Sequence, residues 1–116
     1  MRFQSFSFGS IRIDDITFEN DVIIDQGKLR KRKKKVSQKF RSDFGHTPLS
    51  IEDEIPWKCR ILVIGTGMNG ALPVMDEVKK EAERRNIELI ILSTTQAIEK
   101  LKSNPEKTNA ILHVTC

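Results

Sequence analysis

The chain has 116 residues, 38% of them hydrophobic and 31% charged, with a formal net charge of +4. That length suits one domain with one core, and no apolar run approaches the ~20 residues of a membrane span. Cys59 and Cys116 form neither a C-x-x-C nor a metal-ligand spacing, so a reduced, cytoplasmic protein without a metal or other cofactor is expected.

The charge is local. Nine of the 20 basic residues lie between Lys28 and Arg41, a stretch without an acid, and elsewhere acids outnumber bases. The pI of about 9.2 therefore describes one basic segment on a mildly acidic protein. The opening MRFQSFSFGS lacks a continuous apolar h-region, which argues against a signal peptide.

Residues 1–35 read as a meander of short strands. Phe6 and Phe8 alternate with serines, and Ile11 and Ile13 with Ser10 and Arg12, the period-2 pattern of half-buried strands. Asp14-Asp15 supplies a turn, and Ile16 and Phe18 a return strand. Val22–Ile24 is a β-branched run, and Asp25-Gln26-Gly27 a turn in which glycine supplies positive φ. The basic segment follows, extended at first.

Residues 36–56 read as loop and short helix. Ser50 with Asp53 three residues on is a capping box, and Pro56 ends what begins there. Residues 57–116 read as βαβαβ. Ile61–Ile64 is a buried strand, followed by Gly65-Thr66-Gly67-Met68-Asn69-Gly70. Pro73 is expected in the first turn of a helix whose Val74, Val78 and Ala82 share a face, and Asn86 closes it. Residues 87–92 are apolar on both faces, which predicts a central strand. Thr94 or Thr95 is expected to cap a helix burying Ala97, Ile98 and Leu101, with a stop at Asn104-Pro105 and a last strand over 109–115. This order implies parallel pairing with right-handed crossovers.

The G-x-G-x-x-G loop is the first candidate site. Its amides and the following helix could hold an anion. The candidate ligand-binding residues are Gly65, Thr66, Gly67, Asn69, Gly70 and Thr94. A dinucleotide also needs an acid at the end of the second strand, and Leu92-Ser93-Thr94 has none. The competing reading is a tight turn made by glycines. If the last strand lies beside 60–64, opposite 87–92, the loop sits at a topological switch point, and Thr115 joins the polar set.

The second candidate is the basic patch of Arg30, Lys31, Arg32, Lys33, Lys34 and Lys35. Such a run can neutralise nucleic-acid phosphates, but no aromatic is interleaved before Phe40. A lysine-rich edge strand that resists aggregation, or a face for an acidic protein, explains it as well. Cys116 carries a thiol beside the terminal carboxylate, and its reactivity would require a nearby cation or helix N-terminus. His113 reads as a hydrogen-bonded sheet residue, and a Cys116–His113 couple fails because residues three apart in a strand face opposite ways. His46 reads as a solvated loop histidine, with an approach to the glycine loop as the alternative. No catalytic set is legible.

Several pieces, in order and spacing, carry a resemblance. They are Phe8-Gly9-Ser10 with an isoleucine strand, Asp21-Val22, Gly45-His46, Leu62-Val63-Ile64-Gly65-Thr66-Gly67 with Gly70-Ala71-Leu72, Asn86-Ile87-Glu88, Thr94 with Ala97, and Leu112-His113-Val114-Thr115-Cys116. The chain resembles a small α/β family of unknown activity that includes the adipogenesis-associated protein and the mitochondrial complex I assembly factor three. The resemblance implies a layered α/β fold with a mixed central sheet and a smaller β layer from the N-terminal half. It implies no enzyme activity. A non-enzymatic interaction or assembly module, with an unknown protein partner or a second copy of itself, is thus the first expectation. An anion or small-molecule binder, including an enzyme, is the second, and nucleic-acid binding through residues 28–41 the third. The run Arg30–Lys35 is longer than the family leads one to expect.

Overall fold

Eight strands divide between two sheets in the computed structural model, which describes residues 1–103 and 106–116. β1 (Phe3–Ser7), β2 (Ser10–Ile13) and β3 (Ile16–Phe18) form an antiparallel sheet in sequence order. Asp14 and Asp15, at φ 50° and 66°, close the two-residue hairpin between Ile13 and Ile16, the positive-φ pair that matches strand twist.

The larger sheet has the order β5-β4-β8-β6-β7. It contains β4 (Val22–Asp25), β5 (Lys28–Lys31), β6 (Ile61–Gly65), β7 (Glu88–Leu92) and β8 (Thr108–Leu112). β6 runs parallel to β7 and β8, while β4 pairs antiparallel with β8 and β5. The sheet is therefore mixed, and the expected meander is split: β4 and β5 extend the larger sheet instead of joining β1–β3. The β-branched Val22–Ile24 run is buried on both faces of the larger sheet, an environment the small sheet does not supply.

A 3-10 helix (Lys34–Phe40) leads into one α-helical turn, α1 (Arg41–Phe44). α2 (Asp76–Arg84) and α3 (Thr94–Ser103) are the crossovers. Strand alternation builds two cores. Val22, Ile24, Val63, Ala110 and Leu112 face α3 and the small sheet, packing with Ile11, Ile13, Ala97 and Leu101. Ile23, Leu62, Ile64 and Ile111 face the other way, onto Leu49, Val78 and Ala82.

Four local expectations change. Residues 88–92 form an edge strand, not a central one; both faces have packed neighbours, which explains the apolar pattern, but one lateral edge is open and Ile91 is exposed. α2 starts at Asp76, because Val74 is held in a bridge to Leu49. Ser93 occupies the capping position of α3: its carbonyl accepts from Ala97 and its hydroxyl lies 3.4 Å from the Gln96 amide. Ser50–Asp53 starts no helix: Asp53 accepts from the Ser50 amide, as in a capping box, but the segment closes as a turn in which Asp53 also binds Arg32. The expected stop at Asn104-Pro105 lies outside the described residues.

Candidate functional site

The glycine loop follows β6, between β7 and β8 at the C-terminal ends of the parallel strands. The arrangement is the expected switch point, but the loop holds the chain itself. Met68 donates its amide to the Thr115 carbonyl (2.8 Å), and Asn69 and Ala71 donate to the Cys116 oxygen (3.1 and 2.9 Å). Gly67 donates to Thr94 Oγ1 (2.8 Å), which in turn donates to the His113 carbonyl (2.6 Å). The Thr66 amide and hydroxyl both reach the Leu92 carbonyl. Gly70 bonds back to Gly67 and Leu72 to Thr66. The donors that would cradle an anion are thus engaged by residues 92–116 and by the loop itself.

Gly67 shows why glycine is needed. Its φ is 104°, and a Cβ there would lie 2.3 Å from the Cys116 carbonyl carbon and 2.8 Å from His113 Cδ2. The close approach that glycine permits is to residues 113–116.

Those residues carry the most unusual chemistry of the molecule. His113 is buried, and its Nδ1 lies 3.0 and 2.9 Å from the two carboxylate oxygens of Asp21. Its Nε2 lies 3.1 Å from Thr115 Oγ1. Asp21 also accepts from the Val114 amide (3.1 Å) and from Arg32 Nη1 (3.0 Å). Burial works to raise the pKa of Asp21. The His113 hydrogen bond and charge, the Arg32 charge and the Val114 amide outweigh it and hold the carboxyl below its ordinary 3.8. An ionised Asp21 only accepts, so Nδ1 carries a ring proton; when the ring holds no second proton, Nε2 is the atom that accepts from the Thr115 hydroxyl. The order carboxylate, imidazole, hydroxyl follows.

Arg32 ties this triad to the opposite loop. Its Nε donates to Asp53 Oδ1 (2.8 Å) and its Nη2 to the Pro48 carbonyl (2.8 Å). Asp53 also accepts from Ser37 Oγ (2.6 Å) and the Ser50 amide (3.0 Å). All three ionic side chains are buried, a geometry whose desolvation is offset only by full hydrogen bonding.

The anticipated basic patch is consequently not a ribbon. Lys28–Lys31 is an edge strand, as one expectation had it. Arg30 pairs with Asp25 (2.6 Å), and Arg32 points into the fold. Lys31, Lys33, Lys34 and Lys35 are exposed, and Lys34 also lines a cleft.

A cleft of about 170 Å³ opens beside the triad. Lys34, Gln38 and Arg41 line it from the helical stretch. Gly45, at φ 75°, reverses the chain after α1 and brings His46 and Thr47 to the same cleft. His113 and Thr115 form the remaining wall. No carboxylate is among the lining residues, and among the described residues neither Lys34 nor Arg41 makes an ion pair.

The sequence reading missed Asp21, Arg32 and Asp53 as one cluster and the link from His113 to Thr115. It tested His113 against the residue three positions on, whereas residues two apart share a face. Among the described residues, no group of three or more His, Cys, Asp or Glu side chains is placed to hold a metal. No described helix is long and apolar enough to cross a membrane.

Among the solved structures similar over nearly the whole chain are the following. A conserved hypothetical protein from Pyrococcus horikoshii OT3 is 28% identical at a TM-score of 0.82, with 100% of each chain covered. A protein designated MT938 is 23% identical at 0.71, covering 98% of this chain and 97% of that one. An outer membrane protein from Bartonella henselae is 14% identical at 0.67, covering 98% and 94%. The last two agree in fold alone. Residues 3–110 match a family described as "Protein of unknown function (DUF498/DUF598)", and the chain belongs to that family.

Proposed function

We propose that this protein binds a small anionic molecule, one bearing a phosphate or carboxylate, in the cleft between the helical stretch 34–44 and residues 113–115. The observation that carries this reading is that two cations, Lys34 and Arg41, which make no ion pair among the described residues, meet on a cleft without a carboxylate in its lining. Arginine suits bidentate recognition of such groups. The volume admits a charged group with a few further atoms and is too small for a dinucleotide. On this reading the anion sits at the cleft and not on the loop amides, which bond to residues 115–116.

Titration calorimetry with phosphate, sulfate and small mono- and dicarboxylates at low ionic strength tests the reading. Saturable binding that Arg41→Ala weakens at least ~10-fold supports it, an energy of about 1.4 kcal/mol. Absence of binding to every anion, or affinity indifferent to Arg41, overturns it.

A second reading, an assembly or interaction role in a reduced cytoplasmic setting, is supported by the resemblance to the adipogenesis-associated protein and complex I assembly factor three. Phe8, Val36, Phe44 and Met68 are exposed. Gly9 and Met68 bond to Val114 and Thr115, and Val36 and Phe44 belong to the helical stretch that lines the cleft. Such apolar residues suit a protein partner. A pull-down that retains a partner from cell extract and loses it on Phe8→Ser and Phe44→Ser would favour this role.

A further inference from the structure

We propose that Asp21, His113 and Thr115 form a nucleophilic relay, with Thr115 as the nucleophile toward the acyl carbon of a small carboxylic ester whose anionic group sits on Lys34 and Arg41. The proposal rests on the binding reading above for its substrate class, and on separate geometry for its chemistry.

Three relations carry it. The hydroxyl and its base are 3.1 Å apart, within the range for proton transfer. The base is oriented from behind by a buried carboxylate at 2.9 Å, which is itself fixed by Arg32 and the Val114 amide. His113 and Thr115, the base and the hydroxyl residue, both line the cationic cleft. The segment is also rigidly placed: the Met68, Asn69 and Ala71 amides grip the oxygens of Thr115 and Cys116, and Thr94 grips the His113 carbonyl. Preorganisation of this kind is what a nucleophile needs.

The step balances as an ester hydrolysis. Thr115 Oγ1 bonds to the acyl carbon as its proton passes to His113 Nε2. The bond from that carbon to the alcohol oxygen breaks, and the proton on Nε2 goes to the departing oxygen. Water then attacks the acyl-threonine, giving its proton to Nε2, and Thr115 leaves with that proton restored. Ester and water become acid and alcohol. Lys34 and Arg41 hold the substrate's charged group, and Asp21 is a positioning residue that keeps the imidazole tautomer and opposes its transient positive charge.

The test uses the full chain and the mono-para-nitrophenyl ester of succinic acid, with neutral para-nitrophenyl acetate as comparison. The expected results are nitrophenolate release favouring the anionic ester, and one succinyl group localised to Thr115 by peptide mass spectrometry. Thr115→Val should lose the adduct and at least ~100-fold in acylation rate, while Thr115→Ser keeps both. Asp21→Asn should slow acylation far more than it weakens succinate binding, a split that a purely structural role would not produce. Thr115 is only partly buried, so its valine variant keeps the test decisive even if Asp21→Asn unfolds. Release unaffected by Thr115→Val, or no adduct on the wild-type chain, overturns the relay. Succinate calorimetry on the same samples decides the binding reading separately, so anion binding without acylation defeats the relay alone.

Discussion

Asp21 Oδ2 and His113 Nδ1, 92 residues apart in sequence, lie 2.9 Å apart, joining the start of β4 to the end of β8. The contact is a consequence of the antiparallel register Val22 to Leu112, which brings the residues just outside both strands together. It gives the fold an acid-sensitive latch. Unfolded, an aspartate titrates near about 3.9; folded, Asp21 titrates lower. Its contribution to stability is therefore complete above the unfolded value. It is lost as pH falls through the folded value, because the unfolded chain takes up the proton first. Urea unfolding from pH 6 downward should show wild-type stability falling below about pH 4, with a shallower fall in Asp21→Asn. Parallel curves would refute the latch.

Arg32 should be unlike every other cation of the basic run. Arg32→Ala leaves Asp21 and Asp53 buried without their shared partner, at a cost of about 3–5 kcal/mol. Lys31→Ala and Lys33→Ala, both at exposed positions, should stay within about 0.5 kcal/mol of wild type. Denaturant midpoints at neutral pH separate the two classes.

Gly67→Ala should loosen the end of the chain. The added Cβ meets Cys116 and His113, and φ is 104°, so strain of about 1–3 kcal/mol follows. Hydrogen exchange should report lost protection at the amides of Met68, Asn69 and Ala71, which bond to Thr115 and Cys116. Gly9→Ala is the control: its φ is also positive, but a Cβ there meets nothing within 4 Å, so residues 67–71 should keep their protection.

Thr94 and Ser93 divide the roles that the sequence assigned to one cap. Thr94→Val removes the acceptor of the Gly67 amide and the donor to the His113 carbonyl. Two buried polar groups are then unsatisfied, each costing about 1–3 kcal/mol. Ser93→Ala should cost only about 1 kcal/mol, the value of a cap. Thermal melts of the two variants should rank Thr94→Val as the more damaging.

Local signals in the sequence mark most of the elements and the apolar faces of the core. Alternation at Ile11 and Ile13 placed β2, and the apolar Ile61–Ile64 run placed β6. Paired turn residues at Asp14-Asp15 and Gln26-Gly27 placed the two hairpins. These are local signals, fixed by φ preference and by a periodicity of two or 3.6 residues. The glycine loop was legible as a special place for the same reason, since Gly67 must occupy a left-handed φ.

What those pieces meet is set by contacts that form on folding. Sheet order put β7 at an edge although its residues read as central, because periodicity reports which faces are covered and is silent about lateral neighbours. Arg32 looked like one cation of six; it became the centre of a buried network when β5 brought it beside Asp21 and Asp53. His113 looked like an ordinary sheet residue until register set Asp21 behind it and the helical stretch set Lys34 and Arg41 in front. Ion pairs and hydrogen bonds act over a few ångströms in space whatever their separation in sequence, so a site assembled from residues 21, 32, 34, 41, 46, 113 and 115 exists only once the chain is folded.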